Sequence, residues 1–595
     1  MTSPNPEARP RLLLAVASVA IALAAADTYV VVLALTDMME GVGLGIERLQ
    51  RAAPIISGFL LGYVAVLPLI GRLADLVDRQ RVLLGCLAIF GVGSVTTALA
   101  VELSVLVAGR VIQGVGGGGL VPATLAIVAA LWPPDRRGVP FGVVGAVQEL
   151  GSVVGPVLGA LVLAVADWRA IFWLNAIAAV LLALAIALVG RVGRAAGSGP
   201  AAVGAGRDRI GAAASLARRP SDGTVASGGV GRLLSSGRYR VGVWLVALGV
   251  LWVALGAPAA LATDVTLGVP FVPFGSATSR LATPIGVVAL VLIAAAAAVS
   301  ARAGWATIRA TGPLGAALLG AALGCVILTF AAADPATEVV GPLGYALLPV
   351  AALCALAYVG YHRRSANPVI PHGVVRGRTA WALAVSFLVG TALVAVVVNV
   401  PLLARLVHTS DEGEAALVLV RFLIAVPVGA LLGGYALRRF GDGVVAGVGM
   451  AATAVGLALM TGWGRGAFES FSSTLVLALA GLGIGLALAP VNNAALAQVR
   501  ADAHGAASAL VVVARMVGMV VGLALLTAIG LHRYYDIVAA LPDPTDREAL
   551  KSAAISQVHW IFWGAALAAA MGALISPALG RARRRAGRGA AAHTG

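Results

Sequence analysis

Charge is scarce in this chain: 11% of its 595 residues are Asp, Glu, Lys or Arg, whereas 60% are hydrophobic and the mean hydropathy is +0.97. That balance leaves no stretch from which a soluble domain of ordinary size could build a solvated surface. Cysteine is scarcer still. The three cysteines, Cys86, Cys325 and Cys354, all fall in apolar segments without paired or ligand-like spacing, which excludes a disulfide framework and a zinc site. The seven histidines sit near the ends of apolar runs or in tails and form no H-E-x-x-H or comparable cluster, which argues against a membrane hydrolase or acyltransferase. A phosphate loop is missing too: GVGGGG at 114–119 has no preceding strand and no following Lys-Ser/Thr, so it reads as helix packing. No ATP site, metal, cofactor or enzymatic activity is expected.

What the chain has in abundance is apolar runs of about 20 residues, the length that crosses a bilayer. Six fall near 12–36, 52–74, 82–101, 104–131, 140–164 and 171–190, and six more near 379–403, 413–436, 444–463, 474–497, 508–530 and 559–578. The first, Leu12 to Leu35, is too long for a signal-peptide core and is expected to stay as a span. The net charge of +16 resides in Arg residues of short loops and tails, where it fixes orientation rather than binding nucleic acid. Arg72, Arg79, Arg81, Arg136 and Arg137 follow even-numbered runs, and 191–240 carries nine Arg against two Asp. The other loops carry Asp37, Glu40, Glu102 and Asp167. Both termini and 191–240 are therefore expected in the cytoplasm, with 191–240 a Gly/Ala/Ser/Arg-rich linker.

Four further runs, near 241–262, 283–301, 313–332 and 341–361, have loops that alternate in sign. Asp264 lies outside, Arg302 and Arg309 inside, Asp334 and Glu338 outside, Arg363 and Arg364 inside. Sixteen spans satisfy the charge rule, and fourteen do if one central pair is interfacial, the Ala-rich 283–301 run being the weakest. The expected fold class is an all-α polytopic membrane protein of 14–16 spans. Its expected division is an N-terminal six-helix bundle (1–190), a linker (191–240), extra central helices (241–362), a C-terminal six-helix bundle (363–580) and a basic tail (581–595).

Five charges lie well inside apolar segments: Asp27, Arg110, Glu149, Arg421 and Arg515. An ionisable group at membrane depth is costly enough to need a partner or a function. Counting 1.5 Å per residue from the helix ends, Asp27 and Arg110 share the outer half of the membrane and can pair, as a static lock or as part of the mechanism. Glu149, Arg421 and Arg515 lie nearer the midplane, one acid to two bases. Gly151, Gly155, Pro156 and Gly159 follow Glu149, and glycines four apart let another helix approach closely. Asn492 and Asn493, after Pro490, line a cavity or cap a kink. Outside the membrane, 531–560 is the longest polar stretch. Tyr534, Tyr535, Ile537, Val538 and Leu541 suggest a helix that continues past the bilayer to a break at Pro542 and Pro544. Loop 263–282, with VPFVPF, is a second outer surface, or an aromatic anchor.

Two six-span sets joined by a basic linker, with these motifs, resemble the major facilitator superfamily. GRLADLVDRQR (71–81) is similar to its loop between the second and third spans, LVAGRVIQGVGGGG (106–119) to its fourth-span motif and 151–159 to its fifth-span antiporter motif. Gly71, Asp75, Arg79 and Arg81 match the gating loop, but Leu76 stands where a basic residue is usual and Asp78 where a glycine is usual, which implies altered gating. With DWRAIFWLN (167–175), these motifs resemble the drug:proton antiporter branch.

ADTYVVV (26–32), LLGYVAVLPLIGR (60–72), QELGSVVGP (148–156), RFLIAVPVGALLGGY (421–435) and VVVARMVGMVVG (511–522) are similar to the mycobacterial triacylglyceride exporters. These work with a periplasmic lipid-carrying lipoprotein and have two extra central spans. The resemblance implies a monomeric, multi-pass plasma-membrane exporter that moves a hydrophobic cargo against protons, and it makes membrane lipids and such a lipoprotein the expected partners. The alternative is a multidrug:proton antiporter. A receptor or scaffold on the same fold, without transport, would predict dispensable buried charges. The resemblance also places Glu149 opposite Arg421 across the inter-bundle cleft, makes Asp27 a second titrating group and leaves Arg515 structural or substrate-facing. A carboxylate is pushed towards its neutral form by desolvation and towards its charged form by a nearby Arg, so making and breaking such a pair can take up and release a proton.

Overall fold

A computed structural model describes residues 8–44, 49–196, 237–258, 260–261, 270–331, 344–409, 412–464, 466–543 and 546–580. Most of the linker (197–236), the tail (581–595), Asp264, Asp334, Glu338 and part of loop 263–282 lie outside the described residues. Among the described residues, sixteen long helices carry the fold. They are α1 (Ala8–Gly41), α2 (Leu49–Leu76), α3 (Arg79–Ala98), α4 (Leu103–Leu131), α5 (Gly138–Leu163), α6 (Trp168–Ala196), α7 (Gly237–Gly256) and α8 (Pro284–Ala303). There follow α9 (Pro313–Ala331), α10 (Gly344–Arg364), α11 (Arg378–Val407), α12 (Glu412–Phe440), α13 (Asp442–Met460), α14 (Phe471–Leu496), α15 (His504–Ala539) and α16 (Arg547–Ile575).

Helices are the expected answer, because a spanning segment must satisfy its backbone hydrogen bonds internally. Fifteen of the described helices are long and apolar enough to cross a membrane; α9 contributes a shorter apolar stretch, Pro313–Thr329. The sequence reading took the 283–301 run as the weakest of the central four. Instead Thr283 caps α8, its hydroxyl accepting from Gly286 N at 3.1 Å, and Pro284 starts a full 20-residue helix. Of the central four, it is α9 whose apolar stretch is the shortest.

α1 to α6 form one bundle and α11 to α16 the other. Close backbone approaches build each of them. In the glycine run, a side chain added at Gly114, Gly116 or Gly118 would strike backbone of Phe59, Phe90 or Tyr63 within 2.4 Å, so α4 lies against α2 and α3 because it has no Cβ there. Gly151 and Gly155 face backbone of Ala22 and Ala26, which seats α5 on α1. The central helices form two hairpins: α7 packs on α8, and α9 packs on α10 and also lies against α2 and α15.

The two bundles meet chiefly through α2 with α15 and α5 with α12, at the ends assigned to the cytoplasm. A side chain at Gly71 would meet Ala509 Cβ at 2.5 Å, and one at Gly138 would meet Gly434 O at 2.6 Å. At the opposite end, Val30, Val31, Met38, Ile55, Leu106 and Phe172 form an apolar cluster that includes no residue of the second bundle. Among the described residues, the close backbone approaches between the bundles thus lie at the end assigned to the cytoplasm.

Candidate functional site: an ion pair between the two bundles

Glu149 and Arg515 come together between the bundles, Oε1 to Nη1 at 3.8 Å, with side chains only 9% exposed. α5 and α15 both start at the end assigned to the cytoplasm, and each carries its charge eleven residues in, about 17 Å at 1.5 Å per residue. The expected pairing of Glu149 with Arg421 is not formed. α12 starts at the opposite end of the membrane, its contact with α5 is made near Ala430 and Gly434, and Arg421 lies farther out. There its Nη1 donates to Thr474 Oγ1 at 3.1 Å and Phe468 O at 3.5 Å, inside its own bundle. Arg515, given a structural or substrate-facing role from sequence, is thus the base that faces Glu149.

Two small cavities adjoin this pair. One, of about 80 Å³, is lined by Ile21, Ala24, Phe59, Leu60, Tyr63, Glu149, Leu393, Arg515, Met516 and Met519. The other, of about 20 Å³, is lined by Gln148, Ser386, Asn492 and Arg515 among apolar neighbours. Besides the ion pair, Thr28, Tyr63, Gln148 and Ser152 bring polar groups to a lining that is otherwise hydrocarbon and thioether. Methionine adapts its shape, so Met516 and Met519 form a wall that can yield.

Asp27 and Arg110 also meet, within the first bundle. Asp27 Oδ2 lies 2.6 Å from Arg110 Nη1, while Oδ1 accepts from Gln113 Nε2 at 2.8 Å and Asn175 Nδ2 at 2.6 Å. Arg110 donates in addition to Gln113 Oε1 at 2.6 Å, and Gln113 to Ser94 Oγ at 3.0 Å. The Arg110 guanidinium stacks 4.6 Å from the centroid of Phe59, a residue that also lines the larger cavity. One aromatic ring therefore separates the sealed pair from the cleft. Gln113 and Asn175 were not singled out from sequence, although both stand in motifs quoted above as polar residues of apolar runs.

The gating loop forms a latch. Asp75, at the end of α2, accepts from Gly505 N at 2.6 Å and Ala506 N at 2.9 Å, so it caps α15 of the other bundle. Arg79 Nη2 donates to Ala501 O at 3.3 Å. Asp78, where a glycine is usual, has φ −53° and accepts from Gln80 N and Arg81 N as the N-cap of α3. That backbone conformation does not require glycine. Of the paired asparagines, Asn492 lines the smaller cavity, and Asn493 donates to Asp442 Oδ1 at 2.8 Å, beside the Arg378–Asp442 ion pair.

On the outer side α15 runs for 36 residues to Ala539, about 54 Å and well beyond the ~30 Å hydrocarbon core. α16 returns from Arg547, capped by Asp546. No cluster of three or more metal-binding side chains occurs among the described residues.

The sequence profile of the Major Facilitator Superfamily matches residues 17–366. A triacylglyceride transporter of Mycobacteroides abscessus is 34% identical over 548 residues, covering 90% of this chain and 85% of that protein. One of Mycobacterium tuberculosis is 31% identical over 551 residues, covering 89% and 85%. Among solved structures, the proton:xylose symporter XylE superposes with a TM-score of 0.53 at 12% identity, over 96% of this chain and 95% of that one. The human organic anion transporter MFSD10 superposes equally well, at 14% identity over 97% and 100%.

Proposed function

This chain belongs to the major facilitator superfamily and is a multi-pass secondary transporter, and we propose that it exports a neutral lipid, triacylglyceride or a close relative, across the plasma membrane in exchange for protons. The observation that carries the reading is the Glu149–Arg515 pair, an ion pair between the two bundles at the cleft. Cargo that is itself apolar has no use for that charge. The pair is then free to serve the proton. Protonating Glu149 removes its charge, leaves Arg515 without its counter-ion and weakens the tie between bundles at mid-membrane. A cavity of about 80 Å³ holds no triacylglyceride, so loading requires the bundles to part and the methionine wall to move. Support for the lipid comes from the relatives named as triacylglyceride transporters.

In the same reading the outer ends of α15 and α16 guide the lipid to the outer leaflet or to a lipid-carrying lipoprotein, since a neutral lipid is too insoluble to be released into water. Both termini, the 191–240 linker and the latch face the cytoplasm. Reconstitution into proteoliposomes with labelled triacylglyceride tests the reading. Lipid transfer to the outer leaflet driven by an inward proton gradient is the expected result. Gradient-driven efflux of a cationic drug with no movement of triacylglyceride would replace it with multidrug antiport.

A further inference from the structure

The smaller cavity beside the ion pair brings together a donor without an acceptor and an acceptor without a donor. Gly145 and Gln148 precede Glu149 along α5, and Val511 and Val512 precede Arg515 along α15, so this cavity lies on the latch side of the pair. The larger cavity, with Ser152, Met516 and Met519, lies on the other side, and Val121, Gln148 and Arg515 line both.

The donor is Arg515. A guanidinium is rich in N–H groups and accepts nothing. Its approach to Glu149, 3.8 Å, is longer than a hydrogen bond, and among the described residues no side chain or carbonyl accepts from it. The acceptor is Asn492 of α14. Its Nδ2 donates to Leu488 O at 3.0 Å, one turn back along its own helix, which fixes the amide and turns Oδ1 away from that carbonyl. Oδ1 is buried and has no hydrogen-bond partner among the described residues. The cavity between them, about 20 Å³, exceeds the ~10–15 Å³ that one water needs, and Gln148 and Ser386 add polar groups to its wall.

We propose that Asn492 is a positioning residue for proton coupling: with one water in this cavity, its Oδ1 is the second acceptor for Arg515, to which the guanidinium turns when Glu149 takes up a proton. The proposal rests on the reading of Glu149 as the proton carrier. A buried guanidinium that loses its counter-ion must find hydrogen bonds elsewhere, and without them its stranded charge opposes protonation of Glu149. A neutral amide suits the task. A carboxylate in its place would hold Arg515 permanently, whereas the amide takes it only when Glu149 lets go. The other charges of the neighbouring helices are engaged or remote. Asp27 of α1 and Arg110 of α4 bind each other, Arg421 of α12 bonds Thr474 and Phe468 O, and α14 has no charged side chain. Those of α2, α6 and α11 stand near helix ends. Tyr63 of α2 also lines the larger cavity beside Glu149.

The full-length protein in detergent carries the first test, a thermal-unfolding cycle that needs no transport. Asn492→Leu nearly keeps the volume and removes the acceptor. At alkaline pH on the wild-type background, where Glu149 answers Arg515, it should leave Tm unchanged or raise it, because an unpaired buried acceptor is gone. On the Glu149→Gln background, the analogue of the protonated form, the same change should lower Tm by several degrees, because Arg515 has then lost both its counter-ion and its second acceptor. Equal effects on the two backgrounds overturn the proposal. The second test is downhill triacylglyceride transfer in proteoliposomes held at one pH on both sides. Asn492→Leu withdraws support from the protonated form, so the pH of half-maximal transfer should move about one unit to the acid side, about tenfold in proton concentration. A profile that stays in place or moves to the alkaline side also overturns it. If the unmodified protein moves no triacylglyceride, the transport reading falls, and the cycle in detergent decides whether Asn492 is the second acceptor.

Discussion

Glu149 and Arg515 face each other at the same depth from opposite bundles, each eleven residues from the start of its helix. The symmetry matters because α5 and α15 hold corresponding places, the fifth long helix of each bundle. A contact between them at mid-membrane must be lost or remade whenever the bundles rock.

Removing one partner should therefore separate Arg515 from Arg421. Arg515→Ala leaves a buried carboxylate alone, a defect worth about 3–5 kcal/mol when a buried pair is broken. Arg421→Ala removes only the bonds to Thr474 and Phe468 O. The expected outcome is lost proton-driven transport and a lowered Tm for Arg515→Ala and for Glu149→Gln, against near-normal transport for Arg421→Ala. Transport assays in proteoliposomes check it; a dead Arg421→Ala beside an active Arg515→Ala would reverse the assignment.

Asp27 has three side-chain partners and no exposure, the surroundings of a fixed ion pair. Asp27→Asn should cost about 3–5 kcal/mol through the stranded Arg110, and an Asp27→Asn, Arg110→Met double variant should recover most of it. Transport by the stable double variant then decides the role. Activity means a structural lock, and inactivity in a stable protein means that Asp27 carries protons.

Asp75 caps a helix of the other bundle, so its charge favours the closed cytoplasmic face. Asp75→Asn should weaken that cap by about 1 kcal/mol, a fivefold shift of the population towards cytoplasmic opening. A cysteine introduced at Ala507, buried in the closed face, reports the shift through labelling from the cytoplasmic side. Gly71→Leu, which cannot fit 2.5 Å from Ala509 Cβ, should hold the face open altogether.

Replacing 534–556 by a short Gly/Ser linker removes the outer ends of α15 and α16 while leaving the spans. Folding should survive and lipid delivery to the outer leaflet should stop. Unchanged lipid delivery by the shortened protein would leave these residues as a plain connection between two helices.

Much of this was legible in the sequence, and for physical reasons. Spans announce themselves because hydrocarbon tolerates so little charge, and Asp27 with Arg110 could be matched because both lie in one bundle whose helix order is fixed by short loops. The partner of Glu149 was not legible in the same way. Arg421 and Arg515 are both bases within reach of mid-membrane, and the choice depends on how two bundles lean on each other, which their close-packed cytoplasmic ends at Gly71 and Gly138 decide. The standing of α8 as a full span was obscured by its run of alanines, although Thr283 and Pro284 mark its start clearly. The placing of the two central hairpins, one beside α3 and α6 and one beside α2 and α15, had no signal in hydropathy at all.

The α9–α10 hairpin imposes a direction within the plane of the membrane. α9 sits so close to α2 that a side chain at Gly320 would lie 3.0 Å from Ala65 O, and it also touches α15. It thereby shutters one of the two seams between the bundles, while the α5–α12 seam carries no such cover among the described residues. A hydrophobic molecule approaching sideways from the bilayer would meet the α9–α10 hairpin on one flank and a seam without that cover on the other. If cargo enters from the bilayer, neighbours crowding the α5–α12 flank are expected to throttle transport where neighbours on the opposite flank are not.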